Sequence, residues 1–292
     1  MNSDLYEKYV TDLNLKGYAK RSRQSYRRAV RQFQNFANKS LEDVTEEDLR
    51  EYWLCCKEEL GWSTATLRIS YSAIKHFFTR IVKRDWEVLR QVKFERQQTL
   101  PVVLSIEEVR AIIGAMRHTP QNHAYFSVVY SCGLRLSEAM HLRVADVDGK
   151  RGFLHVHHGK GAKDRYVPLP EMTLYILREY WRTHRNAEWL FPGLGRSGKK
   201  GPKATRPVTS VTVQGALRRT VKRLGIRKRV TPHTFRHSYA THMLEAGVPV
   251  RHVQEALGHA SLASVMIYLH ITSHGKEDSR RRMNQLMRGV LS

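Results

Sequence analysis

Apolar residues recur at helical spacing through most of this chain, and that spacing is the feature that most restricts its fold. Ser22 precedes one such run as a candidate cap. The stripe that follows Ser22 lies on one helix face and consists of Tyr26, Ala29, Val30, Phe33 and Ala37. Thr45 and Asp48 have the spacing of a capping box before a further run. The pattern predicts a mainly α-helical protein built from several separate helices.

The helical period is interrupted in a way that predicts two domains. Four helices are expected in residues 1–90, which would form a small helical bundle. Residues 91–103 lose the period and contain Pro101, so we interpret them as a linker. A second domain is expected over 104–274, followed by a basic tail over 275–292.

One segment of the second domain has strand-like rather than helical patterning. Residues 153–156 and 166–169 are rich in β-forming side chains and flank Gly159-Lys160-Gly161. We therefore predict a β-hairpin there. The expected fold class is mainly α with a small β-hairpin or sheet in the second domain, an α+β arrangement.

The charge balance points to a polyanionic partner. Lys and Arg number 50 against 27 Asp and Glu, which gives a formal net charge of +23. Such a surface attracts nucleic acid first, although RNA, an acidic protein or an anionic membrane would also be attracted. The densest basic stretch runs from Arg185 to Arg229, where Glu188 is the single acid. A solvated surface is the alternative interpretation of the arginine-rich helix faces in residues 1–90.

Candidate DNA-contacting side chains come from both domains. They are the exposed basic residues expected on the second helix, beside the hairpin, in the glycine-rich loop and on a later helix. The set is Arg21, Arg23, Arg27, Arg28, Lys163, Arg165, Lys199, Lys200, Lys203, Arg218, Arg219 and Lys222.

Several other classes of protein are disfavoured. The chain has three cysteines and lacks a CxxC pair, which argues against a disulfide framework and against a structural zinc site. Residues 1–10 lack the apolar run of a signal peptide, and no uncharged stretch reaches the roughly 20 residues that span a bilayer. We expect a soluble cytoplasmic protein without a membrane partner.

A near-match to a nucleotide-binding loop does not fit its chemistry. Gly193, Gly198 and Lys199 have the spacing of a P-loop, but Lys200 stands where a magnesium-binding Ser or Thr is needed. Pro202 follows where a helix should start. We therefore expect no nucleotide site and no cofactor.

Chemistry-bearing residues cluster in four short segments of the second domain. They are Gly-Leu-Arg-Leu-Ser-Glu at 133–138, Gly-Lys-Gly at 159–161, Thr-Pro-His-Thr-Phe-Arg-His at 231–237 and Leu-Gly-His at 257–259, followed by Tyr268. Each is ambiguous alone, since an H-x-x-R pair is usually a capping interaction and an apolar-face Tyr is usually core. The two histidines of 231–237 could suggest zinc, but no third ligand has standard spacing, so we expect no metal site.

Together and in this order, the segments resemble the tyrosine recombinase (phage-integrase-like) family. The resemblance covers nearly the whole chain, and its layout is closest to Xer-type, integron and transposon-associated integrases. It implies that residues 1–90 are a SAM-like core-binding domain and 104–274 the catalytic domain. The implied catalytic residues are Arg135, Lys160, His233, Arg236, His259 and Tyr268. Residues 263–266 depart from the usual Thr-rich run without changing the nucleophile.

The two arginines suit a phosphodiester substrate. Arg135 and Arg236 have forked donors that can hold both non-bridging oxygens, and they stay charged at any working pH. They would stabilise the charge that builds at five-coordinate phosphorus. A metal ion plays this role elsewhere, so metal-independent chemistry is expected.

The remaining roles are those that the resemblance implies. Tyr268 would be the covalent nucleophile, and His233 would take its proton because free phenol has a pKa of about 10. His259 would support as a hydrogen-bond donor, and Lys160 would protonate the departing 5′ oxygen. The phosphotyrosine bond stores the energy of the broken link, so no ATP is needed.

The resemblance implies a site-specific recombinase or integrase that acts on double-stranded DNA through a 3′-phosphotyrosyl intermediate and a Holliday junction. It also implies a homo-tetramer on paired sites, with or without a second recombinase or accessory protein. A type IB topoisomerase-like enzyme is the alternative with the same chemistry, and a catalytically silent DNA-binding protein is the alternative from another class. For the tail over 275–292, docking on a neighbouring protomer and a disordered basic end both stay open.

Overall fold

The computed structural model describes residues 3–95, 101–157, 164–195 and 201–258, together with residues 265, 266 and 268. The chain divides into two compact units, Met1–Thr99 and Leu100–Ser292. Lys160, His259 and the basic tail over 275–292 lie outside the described residues.

The described part of the first unit is built from short helices around an apolar core. Its elements in order are α1 (Ser3–Leu15), α2 (Lys20–Ala37), α3 (Glu46–Glu58), α4 (Thr64–His76), a π-helical turn (Phe77–Val82) and α5 (Val88–Gln91). Aromatic rings fill the core edge to face, as where Tyr9 meets Phe77 with ring centroids 5.3 Å apart. Such pairs favour one packing arrangement over others because the ring edge and face carry opposite partial charge.

Local capping was predicted correctly for α3 and wrongly for α2. The Thr45 hydroxyl accepts from the Asp48 backbone N–H at 3.4 Å, and the Asp48 carboxylate accepts from the Thr45 N–H at 2.7 Å. Ser22 does not cap α2, because that helix begins two residues earlier, at Lys20, and Ala19 holds the cap position without a side-chain hydrogen bond.

The second unit combines helices with a small antiparallel sheet. Its elements in order are α6 (Ile106–Gly114), α7 (Pro120–Ser131), α8 (Leu136–Met140), a 3-10 turn (Val144–Asp146), β1 (Val147–Asp148), β2 (Phe153–Val156), β3 (Arg165–Pro168), α9 (Glu171–His184), α10 (Ser210–Arg223), α11 (Pro232–Glu245) and α12 (Val250–Leu257). The strands lie in the order β1-β2-β3. The mainly α fold with a small sheet is confirmed, and β1 is a strand that sequence patterning missed.

Helix α11 passes through the core of the second unit, which is why it can hold polar groups in a fixed place. Thr231 caps it, with the hydroxyl accepting from the Thr234 N–H at 3.3 Å, and Pro232 occupies the first turn as expected. Phe235 is fully buried and packs on Phe126 of α7 with ring centroids 5.4 Å apart. The Ser238 hydroxyl accepts from the Leu104 N–H at 2.9 Å, which fixes the chain entering α6 against α11.

Gly133, which follows α7, lets the chain between α7 and α8 lie close to α11. Its φ is +58°, a left-handed conformation that favours glycine, and a Cβ placed there would lie 2.5 Å from the Tyr239 Cδ1 atom. The absence of a side chain at 133 therefore brings the segment leading to Arg135 up against α11.

A buried carboxylate, Glu138, connects three elements of the second unit. The Arg165 guanidinium donates to both of its oxygens, at 3.0 and 2.8 Å. Arg135 donates to it from the backbone N–H at 2.8 Å and from Nη1 at 2.6 Å, while Arg236 Nη1 lies 3.8 Å away. Burial alone would raise the pKa of Glu138, but the hydrogen bonds and charges of Arg165 and Arg135 outweigh burial and hold that pKa at about 2. The pairing joins α8 to β3 and α11.

No helix within the described ranges combines the length and the apolar character that crossing a bilayer would require.

Replacing the carboxylate should destabilise the second unit. In Glu138→Gln the facing arginines lose their counter-charge, and we expect a loss of roughly 3 kcal/mol in unfolding free energy at pH 7. Because the folded pKa is about 2, the wild-type contribution is fully present above the ordinary carboxyl pKa and is lost as pH falls towards 2. Urea unfolding across pH 2–7 measures this, with Glu179→Gln, an exposed glutamate on α9 paired with Arg182, as the control. Parallel pH profiles for wild type and Glu138→Gln would contradict the assignment.

Candidate active site

Arg236, in the second turn of α11, is fully buried. Its Nη1 donates to the Gly133 carbonyl at 2.7 Å, and its Nη2 donates to the Leu257 carbonyl. Its Nε–H has no hydrogen-bond partner among the residues that the structure describes. Burial and then the neighbouring charge of Arg135 lower the pKa of Arg236 to about 9, so the guanidinium stays charged at neutral pH. A buried cationic N–H without an acceptor is costly unless an anion completes it.

Arg135 lies immediately before α8 and shares its surroundings with Arg236. Its Nη2 donates to the Gly258 carbonyl at 3.2 Å, next to the Leu257 carbonyl that Arg236 contacts. Both guanidinium groups therefore sit at the carboxyl end of α12, where the helix dipole favours positive charge. The Arg135 side chain is about one-fifth exposed, at 21%, so this arginine is also open to a ligand from solvent.

Two histidines stand one turn apart on α11 beside the candidate nucleophile. The rings of His233 and His237 are 4.3 Å apart between centroids, and they meet edge to face. Burial, followed by the charges of Arg236 and Arg135, lowers the pKa of His233. Burial, followed by the effects of His233 and Arg236, lowers the pKa of His237 to about 4, so its imidazole is neutral at neutral pH.

Tyr268 is nearly buried and is held by His237. Its side chain lies in an apolar cluster with Tyr239, Leu257 and Val265 and is 3% exposed. Its hydroxyl lies 2.8 Å from His237 Nδ1. Burial raises the pKa of Tyr268, opposed by the charges of Arg236 and Arg135, so the phenol stays protonated. Its O–H can donate a hydrogen bond to the neutral imidazole in the tautomer that leaves Nδ1 without a proton.

The structure brings four of the predicted catalytic residues to one place, namely Arg135, His233, Arg236 and Tyr268. Lys160 and His259 lie outside the described residues, although Gly258, which precedes His259, accepts from Arg135. Sequence reasoning did not select His237. Its position four residues after His233 was the available signal, because residues at that spacing share a helix face.

The predicted DNA-contacting residues fall into different environments. Arg21, Arg28, Lys203, Arg218, Arg219 and Lys222 are exposed. Arg27 is partly buried, donates to the Tyr6 hydroxyl at 3.0 Å and stacks over that ring, and Arg23 contacts Asn14. Lys163, Lys199 and Lys200 lie outside the described residues.

Arg165 points inward rather than to the surface expected for it. Its guanidinium is held by Glu138 and by the Ala256 carbonyl at 2.8 Å from Nε, and its side chain is 10% exposed. The buried carboxylate accounts for this placement, since an unpaired Glu138 would be strongly disfavoured in the core.

A separate group of side chains in this unit has metal-ligating chemistry. Asp146, His155 and His157 bring one ligand atom each to within 4.8 Å of one another, near the sheet. Neither Arg135 nor Arg236 belongs to this group.

Comparison with known proteins matches both units. Residues 103–274 match the Phage integrase family, and residues 5–88 match the Phage integrase N-terminal SAM-like domain. A putative integrase/recombinase y4qK of Sinorhizobium fredii is 36% identical over 273 residues, covering 92% of this chain and 85% of that protein. Tyrosine recombinase XerA of Pyrococcus furiosus is 32% identical over 291 residues, covering 98% of this chain and 96% of that protein.

A solved structure shows the same fold. The XerH site-specific recombinase bound to palindromic difH substrate, in a post-cleavage complex, matches with a TM-score of 0.70 at 23% identity, covering 88% of this chain and 78% of that one. Since the family match spans more than half of the chain and the relatives align over nearly all of it, the protein belongs to the phage integrase family and is a tyrosine recombinase.

Proposed function

We propose that this tyrosine recombinase cleaves and rejoins duplex DNA at defined sites, with Tyr268 as the nucleophile that forms a 3′-phosphotyrosyl link. One observation carries the proposal: a protonated, buried phenol is hydrogen-bonded to His237 beside two charged arginines. A covalent nucleophile next to fixed cations is what attack on a phosphodiester requires.

The arginines would bind the scissile phosphate. Arg236 Nε–H lacks an acceptor within the described part of the chain, and a non-bridging phosphate oxygen would supply one. Arg135, which is partly open to solvent, would hold the second oxygen. Other N–H groups of the two arginines donate to backbone carbonyls and to Glu138, so both guanidinium groups are oriented before DNA arrives.

Proton transfer would involve the histidine pair. His237 is already hydrogen-bonded to Tyr268, and the resemblance gives His233 the role of general base. Burial is the main reason that the pKa values of both histidines are low, and the charge of Arg236 lowers them further. A bound phosphate offsets that charge, so the histidines become better proton acceptors when substrate is present. Lys160 would protonate the departing 5′ oxygen and His259 would donate a supporting hydrogen bond.

Double-stranded DNA is the proposed partner, and a homo-tetramer on paired sites is the proposed assembly, exchanging strands through a Holliday junction. The exposed cations Arg21, Arg28, Arg218, Arg219 and Lys222 support contact with phosphates, and the matched XerH structure contains its DNA substrate. Residues 1–90 would be the core-binding domain and 104–274 the catalytic domain. A docking role for residues 275–292, an accessory partner and a cytoplasmic location stay predictions.

Replacing the nucleophile should abolish the covalent intermediate. On a nicked suicide duplex carrying a site mapped by footprinting, we expect wild type to form an adduct that migrates slowly on a denaturing gel, and Tyr268→Phe to form none. Tyr175→Phe, which changes a tyrosine that is 60% exposed, should form the adduct normally. Persistence of the adduct in Tyr268→Phe would disprove the assignment of the nucleophile.

Replacing the buried arginine should slow chemistry more than DNA binding. Arg236→Lys keeps the charge but loses the fork that contacts the Gly133 and Leu257 carbonyls, so we expect single-turnover cleavage to fall by about 10²-fold or more. Arg182→Lys is the matched control and should cleave at close to the wild-type rate, because Arg182 is 64% exposed on α9 and lies outside the predicted DNA-contacting set. Equal losses in cleavage rate and in DNA affinity would argue against a transition-state role, and thermal melts would show whether Arg236→Lys is folded.

Removing the hydrogen-bond acceptor of the nucleophile should release Tyr268. We expect His237→Ala to reduce single-turnover cleavage by about tenfold, since misplacing a nucleophile weakens orientation. His237→Asn, which can still accept the hydrogen bond, should recover part of the rate. In wild type the pKa of about 4 keeps the acceptor neutral, so the contact should survive between pH 5 and 8. Indistinguishable rates for His237→Ala and wild type would show that this contact does not position the phenol.

A further inference from the structure

Two histidines and two aspartates converge at the open end of the β2–β3 hairpin. His155 lies in β2 and His157 follows two residues later, so both side chains lie on one face of the strand. His155 pairs with Tyr166 across the ladder, and Val156 pairs with Arg165. Asp164, one residue before β3, therefore meets His157.

The donor atoms of this cluster lie close together. His157 Nε2 is 2.7 Å from Asp146 Oδ1, and His157 Nδ1 is 3.2 Å from Asp164 Oδ2. His155 Nε2 is 3.4 Å from the same Asp164 oxygen. One atom each of Asp146, His155 and His157 fit within a 4.8 Å span. Ligands at about 2.0–2.2 Å from a tetrahedral ion are themselves roughly 3.3–3.5 Å apart, so small side-chain rotations would place these atoms around one centre.

Neighbouring groups orient the cluster. The Asp146 Oδ2 atom accepts from the Arg143 N–H at 2.8 Å, which leaves Oδ1 facing His157, and Asp146 is 5% exposed. The His155 ring stacks on Tyr166 with centroids 4.6 Å apart and planes 12° apart. Such outer contacts fix the direction of metal ligands in known sites.

We propose that Asp146, His155 and His157 form a binding site for a divalent transition-metal ion such as Zn²⁺, with Asp164 holding the second ring nitrogen of His157. Mixed imidazole and carboxylate donors suit Zn²⁺, Co²⁺ and Ni²⁺, whereas Mg²⁺ and Ca²⁺ prefer oxygen donors alone. The metal displaces the proton between Asp146 Oδ1 and His157 Nε2 and binds those two atoms, while His157 Nδ1–H keeps its hydrogen bond to Asp164.

The cluster is reachable from solvent. A cavity of about 470 Å³ is lined by Asp146 and His157 and also by His141, Arg143 and Trp189. This cavity gives an ion an entry path and leaves room for a water ligand. The proposed ligands do not include Arg135, Arg236 or His237, the residues that surround Tyr268.

Metal binding would fix the positions of His157 and Asp164, the described residues on either side of 158–163. His157 ends the chain entering residues 158–163, and Asp164 begins the chain leaving them. An ion on His157 Nε2 orients that ring, and the ring holds Asp164 through Nδ1, so both residues that flank the segment carrying Lys160 are fixed. This consequence rests on the proposed function, in which Lys160 is the general acid, whereas metal binding itself does not.

The binding test uses the full chain, freed of any histidine tag and treated with chelator. Calorimetry with Zn²⁺ and visible absorption with Co²⁺ should show one site per chain with a Kd in the micromolar range or tighter. His155→Gln and Asp146→Asn should each weaken binding at least tenfold. His118→Gln, which removes an exposed histidine outside the cluster, should bind as wild type does.

Two further measurements keep the test decisive. Asp146→Asn alters a buried carboxylate, so far-UV circular dichroism and melting are recorded for every variant, and partly exposed His155→Gln carries the conclusion if Asp146→Asn is unfolded. Tyr268→Phe should bind metal with wild-type affinity, which separates failure of the metal site from failure of the proposed cleavage reaction. A wild-type Kd in the millimolar range, or binding unchanged in His155→Gln, would overturn the proposal and leave the cluster as a hydrogen-bonded clasp.

Discussion

The arginine cluster of the second unit depends on the buried negative charge of Glu138. Glu138 accepts hydrogen bonds from Arg135 and Arg165 and lies 3.8 Å from Arg236, so one carboxylate compensates three guanidinium groups. Two positive charges cannot be packed beside each other in a core without such a partner. Because the carboxylate leaves the cluster with excess positive charge, the site is prepared for an anion while remaining compatible with folding.

This arrangement explains why the proposed nucleophile stays protonated before substrate binds. Tyr268 is buried and hydrogen-bonded to a neutral His237. Burial raises the pKa of Tyr268 and lowers that of His237, and both shifts oppose proton transfer between them while no phosphate is bound. In the proposed mechanism, the negative charge of bound DNA would change that balance. Reactivity would then depend on the bound phosphate rather than on any group being permanently ionised.

The parts of the fold that were predictable from sequence are those set by local interactions. Thr45 and Thr231 cap their helices because each hydroxyl reaches a backbone N–H three residues on, which is a property of a short segment. Strand β1 was not predictable, since two residues carry no period and this strand exists only by pairing with β2. Ser22 failed as a cap because Lys20 and Arg21 extend α2 past it.

The site divides in the same way. Arg135, His233, Arg236 and Tyr268 could be selected because each lies in a short recognisable segment. The inward turn of Arg165 and the acceptor role of His237 could not, because each depends on a residue distant in sequence, Glu138 in one case and Tyr268 in the other. The convergence of Asp146 on His157 is likewise a result of tertiary packing.

Gly133 helps to position both Arg135 and Arg236. Its carbonyl anchors Arg236, its backbone continues through Leu134 to Arg135, and its missing side chain admits the ring of Tyr239. The distance between the two guanidinium groups therefore depends on Gly133 having no side chain. A methyl group added there would collide with the Tyr239 ring and displace the segment that leads to Arg135.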